Sequence, residues 1–198
     1  MKGKQVAFEE GSTSDILLRS AVDKAGLKWD DIHAIPMPAA NAGGALIAGR
    51  VNIAVTYEPY ISAAKAQSAN VRTLYSGSDD PGLIGDVLVA RDDTINAKPG
   101  QILAAVKSWG QAVDYYRANI DSGRKVISEA IGSTPQELET GFNGVRFVSQ
   151  AENKAELNHT FISDVLPKIE KAALGSGLIT HKVEPEQVID ARFVEAIE

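Results

Sequence analysis

The 198-residue sequence contains no cysteine, which excludes disulfides and thiolate metal sites. It has only three histidines, His33, His159 and His181, set far apart, so no metal-ligand spacing such as HxxxH occurs. No apolar run approaches the ~20 residues of a membrane span. Met1-Lys2-Gly3-Lys4 leads directly into an apolar stretch without the hydrophobic region of a signal peptide. Taken literally, this predicts a chain that stays in the cytoplasm; a shortened chain reads the same way. There is no G-x-S-x-G elbow, and Gly11-Ser12-Thr13-Ser14 lacks the lysine and the spacing of a phosphate-binding P-loop. Basic residues are scattered, and the net charge of −6 argues against a broad nucleic-acid face. No internal repeat or low-complexity segment is present.

What remains is an ordinary globular composition, 44% hydrophobic and 23% charged, in a chain long enough to bury a substantial core. Its first half alternates short β-type runs with helical stretches. The spacing predicts strands over residues 5–8, 32–36, 51–56 and 71–75, with helices over 12–25, 41–48 and 59–67. That alternation calls for right-handed crossovers and a mostly parallel sheet. Residues 76–85 read as a linker and 86–91 as a fifth strand. Beyond Pro99 the character changes: helices are expected over 99–119, 122–131 and 135–141, with a longer one over 151–174. Thr134 with Glu137 and Ser149 with Glu152 have capping-box spacing, and Pro135 suits a first helical position. The expected division is an α/β lobe over residues 1–85 and a mainly helical region over 86–198.

Three places invite a ligand. A parallel sheet opens its crevice at the carboxyl ends of its strands, where helix N-termini also point. There Gly11 permits a tight turn, and Ser12, Thr13 and Ser14 bring hydroxyls beside free N–H groups at the positive end of a helix, which suits a carboxylate, sulfonate, nitrate or phosphate. The competing reading is a plain helix cap, since Ser12 with Asp15 also has capping-box spacing. Tyr57-Glu58-Pro59-Tyr60 ends the third strand, offering aromatic walls and a carboxylate that accepts from an ammonium or amide. The bland alternative is that Tyr57 packs under a loop and Pro59 starts a helix. The small-residue loop after Met37-Pro38 leaves room for a ligand, with Asn41 a contact or, more in keeping with its type, a cap. Glu9 and Glu10 are adjacent, so in a strand they face opposite sides and form no acid–base pair. Catalysis is not expected.

These residues, in this order, resemble the NitT/TauT branch of ABC-transporter substrate-binding proteins, the nitrate-, sulfonate- and taurine-binding and NMT1/THI5-like proteins. Lys2-Gly3-Lys4-Gln5-Val6-Ala7 is similar to the family's LKGKKVA opening of its second lobe, and Gly11-Ser12-Thr13-Ser14 to its ligand-facing helix start. Ala48-Gly49-Arg50-Val51-Asn52-Ile53-Ala54 resembles its aGqvDAa phrase, with Asn52 where Asp is usual. Tyr57-Glu58-Pro59-Tyr60 and Asp190-Ala191-Arg192-Phe193 resemble its E-P-Y/W and D-x-R-F elements.

The resemblance implies a type II periplasmic-binding-protein-like lobe with a mainly parallel sheet, plus a C-terminal helical region, with the family's first lobe missing. It implies a solute-binding component of an ABC importer that takes a small anionic or zwitterionic ligand without chemistry, cofactor or metal. Ser12, Thr13, Ser14 and Glu58 are the implied contacts, with Glu10, Tyr57, Asn41 and Gly11 behind them. The implied partners are the solute and, for a full-length extracytoplasmic parent, a transporter permease. Apolar surface near Trp109, Tyr115 and Tyr116, meant for the missing lobe, is expected to favour a homodimer. The alternatives are a cytosolic ligand-sensing domain that reuses the fold, and a pyrimidine-synthase-like enzyme, which should show clustered histidines or a cofactor lysine.

Overall fold

The computed structural model describes residues 1–197. The chain separates into two compact units, Met1–Gly85 with Asp164–Val183, and Asp86–Ser163 with the stretch from Glu184 onward. Residues 164–183, placed by the sequence reading with the helical region, cluster with the first unit.

In the first unit, β1 (Gln5–Phe8), β2 (His33–Pro36) and β3 (Ile53–Ala54) form a sheet of order β2-β1-β3. Both pairings are parallel, with Val6 opposite Ala34 and Ile53. Parallel neighbours need crossovers, supplied by α1 (Thr13–Lys24) and α2 (Ala39–Ile47). The period of two along β1 sends Val6 and Phe8 to one face and Ala7 to the other. Val6 and Phe8 pack with Leu18, Val22 and Ile32, and Ala7 with Ala42 and Val51. Large residues therefore meet the long α1, while small ones allow α2 to lie close. α3 (Tyr60–Gln67) packs on α2, and a Cβ on Gly43 would sit only 3.1 Å from the Tyr60 Cβ. On the far side of α1 lies α9 (Leu166–Ser176), held by Lys171 to Asp23 at 2.6 Å and Lys168 to Asp80 at 2.8 Å. The Lys168 hydrogen bond holds the Asp80 carboxyl below its usual range, helped by the Ser20 hydroxyl.

Several expected elements differ. Only Ile53–Ala54 of the expected third strand is regular, although Asn52 and Val55 extend it with bonds to Gln5 and Ala7. Residues 71–75 form no strand, and neither do residues 86–91. Their composition favours the extended state, but a strand also needs a hydrogen-bonding neighbour, and β3 ends the sheet.

The second unit is helical: α4 (Asp92–Ala97), α5 (Pro99–Ala118), α6 (Ile120–Ala130), α7 (Glu139–Gly144), α8 (Gln150–Ala155), α10 (Pro185–Val188) and α11 (Arg192–Glu195). α5 is its spine, contacting α4, α6, α8 and α11. α5 and α6 meet closely because Gly123 lacks a side chain; a Cβ there would lie 2.6 Å from Tyr116 Cδ2. The Gln150 amide donates to the Val194 carbonyl at 2.9 Å, tying α8 to α11. Thr134 and Glu137 exchange the bonds of a capping box, but residues 135–138 are turn and α7 starts at Glu139, later than expected. Ser149 and Glu152 form a true box. The long helix expected over 151–174 is broken by wider π turns over Glu156–Val165. Pro167 has no N–H to give and its ring crowds the carbonyl four residues back, so a regular α ladder cannot run through it.

Candidate functional site

The carboxyl ends of the three strands are knitted together by side chains. Glu9 follows β1, and its backbone N–H donates to Ser14 Oγ at 3.1 Å. Ser14 Oγ in turn reaches the Val55 carbonyl, beyond β3, at 3.5 Å. The Glu9 carboxylate accepts from the Ala39 N–H at 2.9 Å, at the start of α2. The Thr56 hydroxyl donates to the Ala39 carbonyl at 2.7 Å, closing the ring of contacts.

The turn from β1 into α1 is built by backbone freedom and capping. Gly11 has φ +71, a left-handed conformation that costs glycine little. Ser12 caps α1, accepting from the Ser14 N–H at 3.1 Å while donating to the Glu9 carbonyl at 2.8 Å. Asp15, fully buried, accepts from the Gly11 N–H at 3.1 Å and from Arg19 Nε at 2.7 Å. The Arg19 guanidinium lies 4.1 Å over the Trp29 ring, which completes the support beneath the turn.

The residues singled out in the sequence thus fall into two groups. Ser12 and Ser14 spend their hydroxyls inside the turn, and Ser14 is buried. Thr13 and Glu10 are exposed, and among the described residues neither side chain has a hydrogen-bond partner; the Thr13 N–H likewise finds no acceptor. Tyr57 is 55% exposed and stands edge-on to Tyr60 at 5.5 Å. The half-buried Glu58 accepts from the Ser62 N–H at 3.1 Å, supporting the first turn of α3. Asn41 is not a cap: Pro38 holds that position, α2 begins at Ala39, and Asn41 lies exposed in the first turn. The sequence offers Asp15 only as a capping-box partner of Ser12, but its carboxylate accepts from Gly11 and Arg19 instead, and Thr56 and Arg19, which also shape the rim, carry no sequence signal of their own beyond spacing. Spacing of four between Asp15 and Arg19 was the available signal.

Chemically, the start of this three-turn helix offers an exposed Thr13 hydroxyl and a free N–H at its positive end, with the exposed Glu10 carboxylate in the turn before it. Unpaired donors at a helix start suit a negatively charged group. Among the described residues no group of three or more His, Asp or Glu is placed to hold a metal ion, and no helix is long and apolar enough to cross a membrane.

This parallel α/β unit, with a capped helix start at its strand ends, has a fold that matches solved periplasmic binding proteins. The family described as NMT1/THI5-like matches residues 1–121, and the chain belongs to that family. Its fold matches the periplasmic aliphatic sulphonate binding protein SsuA from Escherichia coli at a TM-score of 0.72 and 23% identity, covering 96% of this chain and 59% of that one. The alkanesulfonate-binding protein SsuA from Xanthomonas axonopodis pv. citri, bound to MOPS, gives a TM-score of 0.60 at 22% identity, covering 97% and 62%. In sequence, the chain is 42% identical over 79 residues to a "Putative aliphatic sulfonates-binding protein" of Escherichia coli strain K12, 40% of this chain and 24% of that protein. A "Putative binding protein" of Brucella abortus is 25% identical over 142 residues, 71% of this chain and 44% of the other. The chain spans less than half the length of these curated relatives, all of them named as binding proteins.

Proposed function

We propose that this chain is part of the solute-binding component of an ABC importer and holds a small anion or zwitterion without altering it. The observation that carries the reading is the knitted rim of strand ends, which fixes the start of α1 while leaving Thr13 outward and unpaired among the described residues. A rigid helix start with an unused donor is preorganised for an oxyanion and needs little reordering on binding. Thr13, Tyr57 and Glu10 are the direct contacts. Ser12, Ser14, Gly11 and Glu58 shape the rim, and Asn41 lies at its edge. The names of the relatives favour a sulfonate, with carboxylates and pyrimidine-type solutes as the other members of the class.

In this reading residues 1–85 with 164–183 form the gripping lobe, and residues 86–163 carry the chain toward the hinge and first-lobe side of a longer extracytoplasmic parent. Lobe closure would bury the ligand and exclude water, so the isolated chain binds more weakly than that parent. The parent docks on a permease, and no reaction is performed.

Calorimetry or native mass spectrometry on the full-length parent, against sulfonates, carboxylates, amino acids and pyrimidines, tests this. A sulfonate or related anion should bind, and Thr13→Val should weaken it while leaving the cap intact. Ser12→Ala and Glu58→Gln should act mainly through lost rim geometry. If a confirmed ligand binds equally well to all three variants, the assigned site is wrong.

A further inference from the structure

Between α1 and α9, within the first unit, lies a cavity of about 500 Å³. α9 lines it with Lys168, Lys171, Ala172 and Gly175, one helical face spaced at three and four. Leu27, Trp29 and Leu83 join the buried Val22 and Ala172 in an apolar lining. A volume of that size, largely apolar with a few convergent charged groups, is what a small organic ligand needs. On α1 the cavity starts at Arg19, about 9 Å of helix beyond Thr13, so it is separate from the strand-end rim.

The charges around it are unevenly spent. Lys171 pairs with Asp23 at 2.6 Å and Lys168 with Asp80 at 2.8 Å, so both α9 lysines are neutralised. Arg19 and Lys24 differ. Arg19 gives Nε to the buried Asp15 at 2.7 Å, but among the described residues neither of its two amino groups has an acceptor. Its side chain is only 19% exposed, and donors held so far from water gain from a partner. Trp29 lies 4.1 Å beneath the guanidinium and stands edge-on to Phe8 at 5.5 Å, which fixes the cation in place. Lys24 donates to the Asp79 carbonyl and has no carboxylate partner among the described residues, so its positive charge is in excess.

We propose that this cavity is a second ligand site, which takes a small organic anion: a carboxylate or sulfonate on Arg19 and Lys24, with an apolar body against Leu27, Trp29 and Leu83. The anion supplies the acceptor that Arg19 lacks and offsets the Lys24 charge, while its apolar body leaves water. Neither bare inorganic sulfate nor a neutral molecule of the same shape satisfies both halves. The site stands apart from whatever the rim holds.

The chain has two tryptophans, so Trp109→Phe leaves Trp29 as the sole indole and a reporter of the charge above it. In the full chain with that change, benzoate should shift Trp29 emission saturably. Benzamide, of the same shape but neutral, should bind at least about tenfold more weakly, and inorganic sulfate should give no saturable shift. Ala172→Phe should abolish the response by filling the cavity, with circular dichroism checking the fold. Lys24→Gln, at an exposed position, should weaken binding by about threefold. Thr13→Val should leave it unchanged, which separates this site from the rim. No saturable response to benzoate, benzamide binding as tightly, or a response lost in Thr13→Val but kept in Ala172→Phe and Lys24→Gln would each overturn the proposal.

Discussion

The Asp15 carboxylate splits its two oxygens between the turn and the helix: Oδ2 accepts from the Gly11 N–H at 3.1 Å, and Oδ1 from Arg19 Nε at 2.7 Å. One buried side chain therefore fixes both the backbone bend that presents Thr13 and the cation that backs it.

Replacing Asp15 with Ala removes the acceptor from a mostly buried guanidinium and from the Gly11 N–H. Loss of one partner of a buried pair leaves the other uncompensated, so the cost should be about 3 kcal/mol in urea unfolding. A cost under about 1 kcal/mol would mean that water replaces the carboxylate and the pair is not structural.

Tyr57→Ala separates binding from folding. The ring is 55% exposed, so stability should change by no more than about 0.5 kcal/mol. Ligand affinity in the parent should nonetheless fall, because the aromatic wall is gone. Equal affinity with an unchanged melting curve would remove Tyr57 from the site.

Gly82 is held at φ +88, and a Cβ there would lie 2.7 Å from Val165 Cγ2. Gly82→Ala should therefore destabilise the first unit by about 1–3 kcal/mol, from strain and overpacking together. Val165→Ala in the same background should recover part of the packing loss but none of the backbone strain. Full recovery would show that backbone conformation contributes little.

The Glu152 carboxylate accepts from the Ser149 N–H and from Arg146 and Arg117, with the Ser149 hydroxyl beside it, and these groups hold it far below the ordinary value of 4.5. A depressed carboxylate contributes stability that is present above the unfolded value and is lost as pH falls through the folded one. The Tm gap between the wild type and Glu152→Gln should thus be widest near neutral pH and shrink below about 4.5. A gap that stays constant down to pH 3 would show that the pairing does not depend on charge.

The sequence made β1, α1 and β2 readable because their boundaries are chemically marked: Gly11 and Ser12 before α1, Gly26 after it, Pro36 at the end of β2. Residues 71–75 and 86–91 misled because β-branched composition reports a preference, while a strand exists only when a neighbour completes its ladder. No local pattern carries that non-local fact. The π turns before Pro167 were similarly hidden, since apolar spacing survives a change of winding. Gly11 to Ser14 was legible as a binding candidate, but not the division of labour within it. Both capping and anion binding use small hydroxyl residues at a helix start, and only geometry shows Ser12 and Ser14 turned inward and Thr13 outward.

The pairing of α1 with α9 has a consequence for how this protein is made. Lys171 reaches Asp23 across 148 residues of sequence, so the helix that covers α1 leaves the ribosome long after α1 itself. Until then the nascent lobe waits with one flank bare. Closing so long a loop is entropically unfavourable, and such contacts form slowly. A polypeptide stalled or cut before Leu166 would be a natural client for chaperones and proteases, and the lobe should acquire its resistance to digestion only once α9 has been translated.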